Sequence, residues 1–214
     1  MRKFFEIGGV AAAFILIAFG IGALVLGVNG RNTVRDSLKQ EQIVGSDDMT
    51  PTQIAIDAKE AGLAASVPLP TVDIAGKPIT TGDRALAFAS YMRIHALEST
   101  GGLTYSQMGR FSTADGAPKG TNDDAAALKG PDGKPVANGA RNVWVTETAL
   151  ATALNTSYMA EKTALFGIVV GIALLLAGFG FAILAIGGAL RNADRTVSFG
   201  KRDPKAVRTP VQTT

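Results

Sequence analysis

The sequence predicts an all-α membrane protein: two transmembrane helices extended as stalks, with a small, mainly helical extracytoplasmic domain inserted between them. Three observations predict it. Residues 7–28 and 164–190 are apolar runs without one charged residue, and at about 1.5 Å of rise per helical residue each crosses a hydrocarbon core of about 30 Å. The chain has no cysteine, so whatever lies between the runs holds together by packing, with no disulfide, thiolate nucleophile or cysteine metal site. Basic residues crowd the chain ends: eight of them (Arg2, Lys3, Arg191, Arg195, Lys201, Arg202, Lys205 and Arg208) flank the runs on the outside, against four (Arg31, Arg35, Lys39 and Lys162) on the inside.

That asymmetry predicts an N-terminus (1–6) and a tail (191–214) in the cytoplasm, and residues 29–163 on the far side. Between positions 31 and 162 there are 13 basic and 15 acidic residues, so the net charge of +3 resides in the ends and reads as topology, not nucleic-acid binding. A secretory signal is the competing reading of 7–28, but Leu26-Gly27-Val28-Asn29-Gly30 lacks the Ala-x-Ala pattern of a cleavage site. The tail lacks periodicity and is expected to be disordered; beyond the positive-inside rule, its cations suit contact with anionic headgroups.

After the first span, Val34, Leu38 and Ile43 recur at near-helical spacing and extend it as a stalk, with Asn29-Gly30 as a possible kink. Thr50-Pro51 opens a helix through Ile54, Ala58 and Ala61 that stops near Gly62. Residues 68–80, with Pro68, Pro70 and Gly76-Lys77-Pro78, predict an extended linker. Thr81 caps a helix over 82–99 whose buried face is Leu86, Ala89, Tyr91, Met92, Ile94 and Leu97, ended by Gly101-Gly102. A short helix over 105–111 precedes a Gly, Asp, Asn and Pro tract at 112–139, an irregular surface excursion. From Arg141 the pattern is helical into the membrane, with Val143, Trp144, Leu150, Leu154, Tyr158 and Leu165 on one stripe, a rod of about 50 residues or about 75 Å. Two such stalks are expected to lift the outer helices off the lipid.

Within the spans the informative residues are small. Gly167, Gly171, Gly178 and Ala182, continued by Ala185 and Ala189, follow a near-heptad stripe, and Gly20, Ala23 and Gly27, with Gly9 and Ala13, supply the first span's share. Such stripes let helix backbones approach closely where lipid removes the hydrophobic drive, either between the two spans of one chain or between copies. Neither span carries an ionisable group, nor Ser, Thr, Asn or Gln, so a polar ion path is not expected from this chain alone.

Catalytic chemistry is sparse. His95, the only histidine, stands three residues before Glu98 on the same helix; it reads as structural, with general-base duty as the alternative. Ser90, Ser99 and Ser106 are near it in sequence without forming a recognisable triad. Asp115, Asn122, Asp123, Asp124 and Asp132 lack the regular Asp-x-Asp-x-Asp-Gly calcium pattern and read as turn formers. Trp144 lies some 20 residues before the second span and reads as an anchor onto the outer domain, whereas Tyr158 and Phe4-Phe5 approach interfacial depth. No catalytic, cofactor-binding or metal-ligating residue is assigned, and no cofactor is expected.

The runs Leu38-Lys39-Gln40-Glu41-Gln42-Ile43-Val44-Gly45, Tyr91-Met92-Arg93-Ile94-His95-Ala96-Leu97-Glu98 and Val143-Trp144-Val145-Thr146-Glu147-Thr148-Ala149-Leu150 resemble a group of uncharacterised two-span membrane proteins of actinobacteria. Some members are labelled aromatic ring-opening dioxygenases, a label one histidine and no cysteine do not support. The resemblance implies a bacterial plasma membrane. The expected function is non-enzymatic association, as a homo-oligomer or as an accessory subunit of a larger membrane complex. The alternative is an extracytoplasmic sensor or ligand-binding module with 112–139 as its lid.

Overall fold

The computed structural model describes residues 2–63 and 65–187. The basic tail, and with it the last three residues of the second apolar run, lie outside the described residues. Four α-helices follow in order, α1 (Arg2–Gln40), α2 (Pro51–Glu60), α3 (Gly82–Ser99) and α4 (Gly139–Ile186), with one 3-10 turn (Tyr105–Gln107) between α3 and α4. Among the described residues β-structure is limited to isolated bridges. The helices α1 and α4 are long and apolar enough to cross a membrane. The chain divides into two compact units, residues 1–24 with 169–214, and residues 25–168.

The first unit contains one helix pair. A Cβ added at Gly171 would lie 2.9 Å from the Gly20 carbonyl oxygen and from Leu24, and one at Gly178 would lie 2.7 Å from Ile17, so these backbones touch where side chains are absent. Ala13 and Ala185 are buried in the same stripe, while Phe14, Phe19, Phe179 and Ile183 point outward and are exposed. Along α4 the covered positions include the stripe 147, 151, 154, 157, 161, 164, 168, 171, 175, 178, 182 and 185, in steps of three or four. That is the 3.5-residue period of left-handed helix packing.

The second unit packs its short helices against Leu38 of α1 and Leu154 of α4. Thr50 caps α2, its hydroxyl accepting from the Gln53 N–H at 3.1 Å with Pro51 in the first turn, and Thr81 does the same for α3 through the Arg84 N–H at 3.3 Å. Gly101 and Gly102 end α3 at φ +61° and +77°, a left-handed geometry that other residues adopt at a cost. The core gathers Leu38 of α1, Met49, Ile54 and Ala58 of the α2 region, Ile74, Ile79, Ala85, Tyr91 and Ile94, and Leu154 of α4. A smaller cluster joins Ala96, Leu97, Met108 and Trp144, placing the tryptophan against the helical domain.

Several expectations are corrected. Helix α1 runs unbroken through Asn29-Gly30. The segment 68–80 is extended, yet it is core: Ile74 and Ile79 are fully buried, because Gly45, Gly76, Ile79 and Ile74 exchange backbone hydrogen bonds between it and residues 43–49. Leu86 is exposed and α3 instead buries the small Ala85, Ala87 and Ala96, which admit close contact with its neighbours. On α4, Val143, Leu150 and Leu165 are exposed, and the covered stripe passes through Glu147 and Glu161. The helix expected over 105–111 is only the 3-10 turn, since Phe111 pairs as an extended residue with Thr121 and Ala137. The domain also packs along the stalks, not on their tips: a Cβ at Gly82 would lie 2.9 Å from the Tyr158 Cα.

These contacts yield a paired prediction. Gly171→Ala places a methyl group on the Gly20 carbonyl and should destabilise the helix pair by about 1–3 kcal/mol, the usual scale for overpacking. Gly22→Ala, where nothing lies within 4 Å, should be neutral or slightly stabilising. Thermal melts of both variants in one detergent, followed by circular dichroism, check the difference.

Candidate functional site

The polar residues that matter sit on the covered stripe of α4 and on the helices facing it. Glu161 is 7% exposed. Its Oε1 accepts from Arg31 Nε at 3.1 Å and Arg35 Nε at 2.7 Å, and its Oε2 accepts from the Gly82 N–H at the start of α3. Burial by itself would push this carboxyl up, but the Gly82 amide and the Arg35 and Arg31 guanidiniums together hold it below its ordinary value. The next residue on each helix supplies the second link: Lys162 Nζ meets Asp83 Oδ1 at 2.9 Å, which raises the lysine's pKa. A single carboxylate thus fastens α1, α4 and the N-terminus of α3.

Two heptads earlier on the same stripe, Glu147 is 2% exposed. Its Oε2 accepts from the Thr148 hydroxyl at 3.3 Å and faces Arg93 Nη1 at 3.9 Å, while the buried Oε1 has no hydrogen-bond partner. Arg93 is drawn partly away, its guanidinium 4.8 Å from the Trp144 ring centre. Glu147 borders a groove of about 450 Å³ between α3 and the beginning of α4. Met92, Ala96 and Val143 make the apolar wall, and His95, Asn142 and Thr146 add polar atoms.

His95 stands between two carboxylates, Nε2 at 3.5 Å from Asp48 Oδ2 and Nδ1 at 3.5 Å from Glu98 Oε2. The expected His95–Glu98 pair is present, with Asp48 as an addition from the loop before α2. Ser90 and Ser99 spend their hydroxyls on carbonyls of their own helix, at Leu86 and Ala96, and Ser106 lies beside Thr104. The structure therefore engages these three hydroxyls away from the histidine. Among the described residues no group of three His, Cys, Asp or Glu side chains is arranged to hold a metal ion.

The acidic tract is occupied by its own turns. Asp115 accepts from Thr113 and the Ala117 N–H, Asp123 from the Ala125 N–H and Asp132 from the Lys134 N–H, while Asn122 accepts from the Arg110 N–H and Asp124 pairs with Lys129. The Thr113 and Ala117 bonds lower the Asp115 pKa. Asn138 ties the tract together: its Nδ2 donates to the Gly109 and Pro118 carbonyls, and its Oδ1 accepts from Ala140 at the start of α4. The tract is thus a braced loop, and only its last residue, Gly139, reaches the groove beside Glu147.

Of the small residues, Gly20, Gly171 and Gly178 meet one another's helix within the first unit, and in the second a Cβ at Gly27 would lie 2.7 Å from the Ala164 carbonyl. Ala23, Ala182 and Gly167 are half-buried, Gly167 at the flank of the stripe next to Ile168. The described part of the stripe is therefore engaged inside the chain. Sequence reasoning missed Glu147, Glu161, Arg31 and Arg35. The available signal was the spacing Glu147, Leu154, Glu161, two carboxylates on either side of an apolar residue at seven-residue steps.

Among the described residues, fold and site define an all-helical protein with two helices of membrane-crossing length and apolarity, and a helical domain fastened by part-buried ion pairs to Glu161. No family model matches the chain, and neither curated proteins nor solved structures give a match.

The lowered pKa of Glu161 gives a pH dependence with a definite sign. Its stabilisation is fully present above the unfolded-state pKa and is lost as pH falls through the lower folded-state value. The melting temperature should fall on acidification below the ordinary carboxylate range, and Glu161→Gln should melt lower at neutral pH and show a smaller acid-induced fall. Leaving the guanidiniums without their acceptor should cost Glu161→Ala about 1–3 kcal/mol, measurable by denaturant titration in detergent.

Proposed function

We propose that the chain is a non-enzymatic integral membrane protein that acts by association, with residues 29–163 outside a bacterial plasma membrane and both termini inside. The observation that carries the membrane part is exposure: only 17% of the most apolar stretch of each long helix is buried. Phe14, Phe19, Leu26, Phe166, Leu176 and Ile183 face outward, an apolar surface that water does not tolerate and lipid accepts. The orientation rests on the basic chain ends.

Association is supported by what the hairpin leaves unused. Gly20, Gly27, Gly171 and Gly178 are engaged within the chain, whereas Gly8, Gly22 and Gly180 have nothing within 4 Å, so contact with another subunit falls to the outward faces of the long helices or to the helical domain, whose loop at 112–139 is held by its own hydrogen bonds. Homo-oligomer and accessory subunit of a larger complex share this logic, and the three-run resemblance to two-span membrane proteins agrees with both.

Two measurements bear on this. With no native cysteine, Asp123→Cys should react with a membrane-impermeant maleimide on intact cells, and Ser198→Cys only after lysis; the reverse pattern would overturn the orientation. Affinity purification from native membrane with cross-linking and mass spectrometry should recover either multiples of the chain or a stoichiometric partner. A strictly monomeric protein without a co-purifying partner would remove the association reading.

A further inference from the structure

We propose that the groove beside Glu147 is a binding site for a small primary aliphatic amine, taken up as its ammonium ion. This goes beyond the association reading and does not depend on it. The starting point is energetic. A carboxylate that is 2% exposed has one oxygen, Oε1, with neither a hydrogen bond nor water access, and a buried acceptor left open is costly. The nearest cation does not relieve it, since Arg93 faces the other oxygen at 3.9 Å, beyond hydrogen-bond length, and its guanidinium leans on Trp144. The space beside that carboxylate is about 450 Å³, the scale of small-molecule sites.

The lining selects the ligand's chemistry. A positive donor is required by Glu147, and Thr146 and Asn142 supply further acceptors at the same mouth, which suits the three N–H bonds of a compact ammonium. Met92, Ala96 and Val143 form an aliphatic wall suited to a short hydrocarbon chain. No Phe, Tyr or Trp lines the groove, so the aromatic cage that holds a quaternary ammonium is missing. The two ring nitrogens of His95 lie 3.5 Å from the Asp48 and Glu98 carboxylates, and Nε2 is buried without a hydrogen-bond partner, so the histidine is a wall of the groove flanked by acidic groups and not a binding point for an anion.

The test uses the full chain in detergent or nanodiscs, with n-pentylamine as the probe and n-pentanol and choline as matched controls. Emission of Trp144, one helical turn from Glu147, reports binding, with calorimetry as a second readout. Pentylamine should bind saturably, and pentanol and choline at least tenfold more weakly. Glu147→Gln, which keeps the shape and removes the charge, should weaken pentylamine at least tenfold. Should that variant fail to fold, Val143→Phe, an exposed position filled by a larger apolar group, should block binding while leaving the melting temperature near that of the parent. The proposal is overturned if pentylamine shows no saturable binding, if pentanol or choline binds equally well, or if a folded Glu147→Gln or Val143→Phe keeps the parent affinity.

Discussion

The domain between the two long helices depends on one carboxylate meeting three donors. Taking a glutamate out of water at position 161 costs several kcal/mol unless its oxygens are met, and here Arg31, Arg35 and the Gly82 amide meet them. Those donors come from two other helices, so the requirement is geometric: α1 must present its arginines at one height, and α3 must begin within hydrogen-bond reach of α4. Gly82 is the residue that lets α3 come so near, since any side chain there would collide with Tyr158 and Glu161. Apolar packing of Leu38, Ile74, Ile79, Tyr91 and Leu154 supplies most of the burial, but it tolerates sliding. The ion pairs that two half-exposed arginines make to the buried Glu161 carboxylate do not, and the register of the stalks follows from them.

The same helix changes its means of contact along its length while keeping its period. From position 147 to 161 the covered stripe carries glutamates and a leucine, and contact is made by charge and by apolar packing against α3 and α1. From 164 to 185 it carries glycine and alanine with Ile168 and Leu175 among them, and contact is made by close backbone approach and by those two side chains against the glycines of α1. The change follows the chemistry of the surroundings. An ion pair needs donors that only a polar segment offers, whereas in an apolar environment dispersion between closely spaced backbones is the contact that remains.

How much of this was legible depends on the kind of signal. The long helices, the Thr50 and Thr81 caps and the Gly101-Gly102 stop were readable because each is written in a few adjacent residues with a local mechanism. Residues 68–80 were read as a linker because proline and glycine dominate locally; that Ile74 and Ile79 fill the core depends on pairing with residues 43–49, some thirty positions away. On α4 the expected stripe followed large apolar residues, while the observed one follows contact. Val143 and Leu150 lost to Glu147, whose place is set by partners on another helix. The glycine stripe was visible as a stripe, but which surface it met was not, since glycine spacing is the same whether the neighbour is the other span or another copy.

Glu147 and Glu161 occupy equivalent positions two heptads apart, and the difference between them is the most informative contrast in the chain. Both are more than nine-tenths buried. At 161 both oxygens accept strong, charged or amide donors, and the site is closed. At 147 one oxygen has only a neighbouring threonine and a distant arginine, the other is buried with no partner, and the residue borders an apolar groove. If burial of a carboxylate served packing alone, a leucine such as Leu154 would serve better at 147, since it would bring no desolvation cost. A glutamate held there against that cost, at the edge of an apolar groove with further acceptors at its mouth, is the arrangement of a site that is completed by a cation from outside the chain.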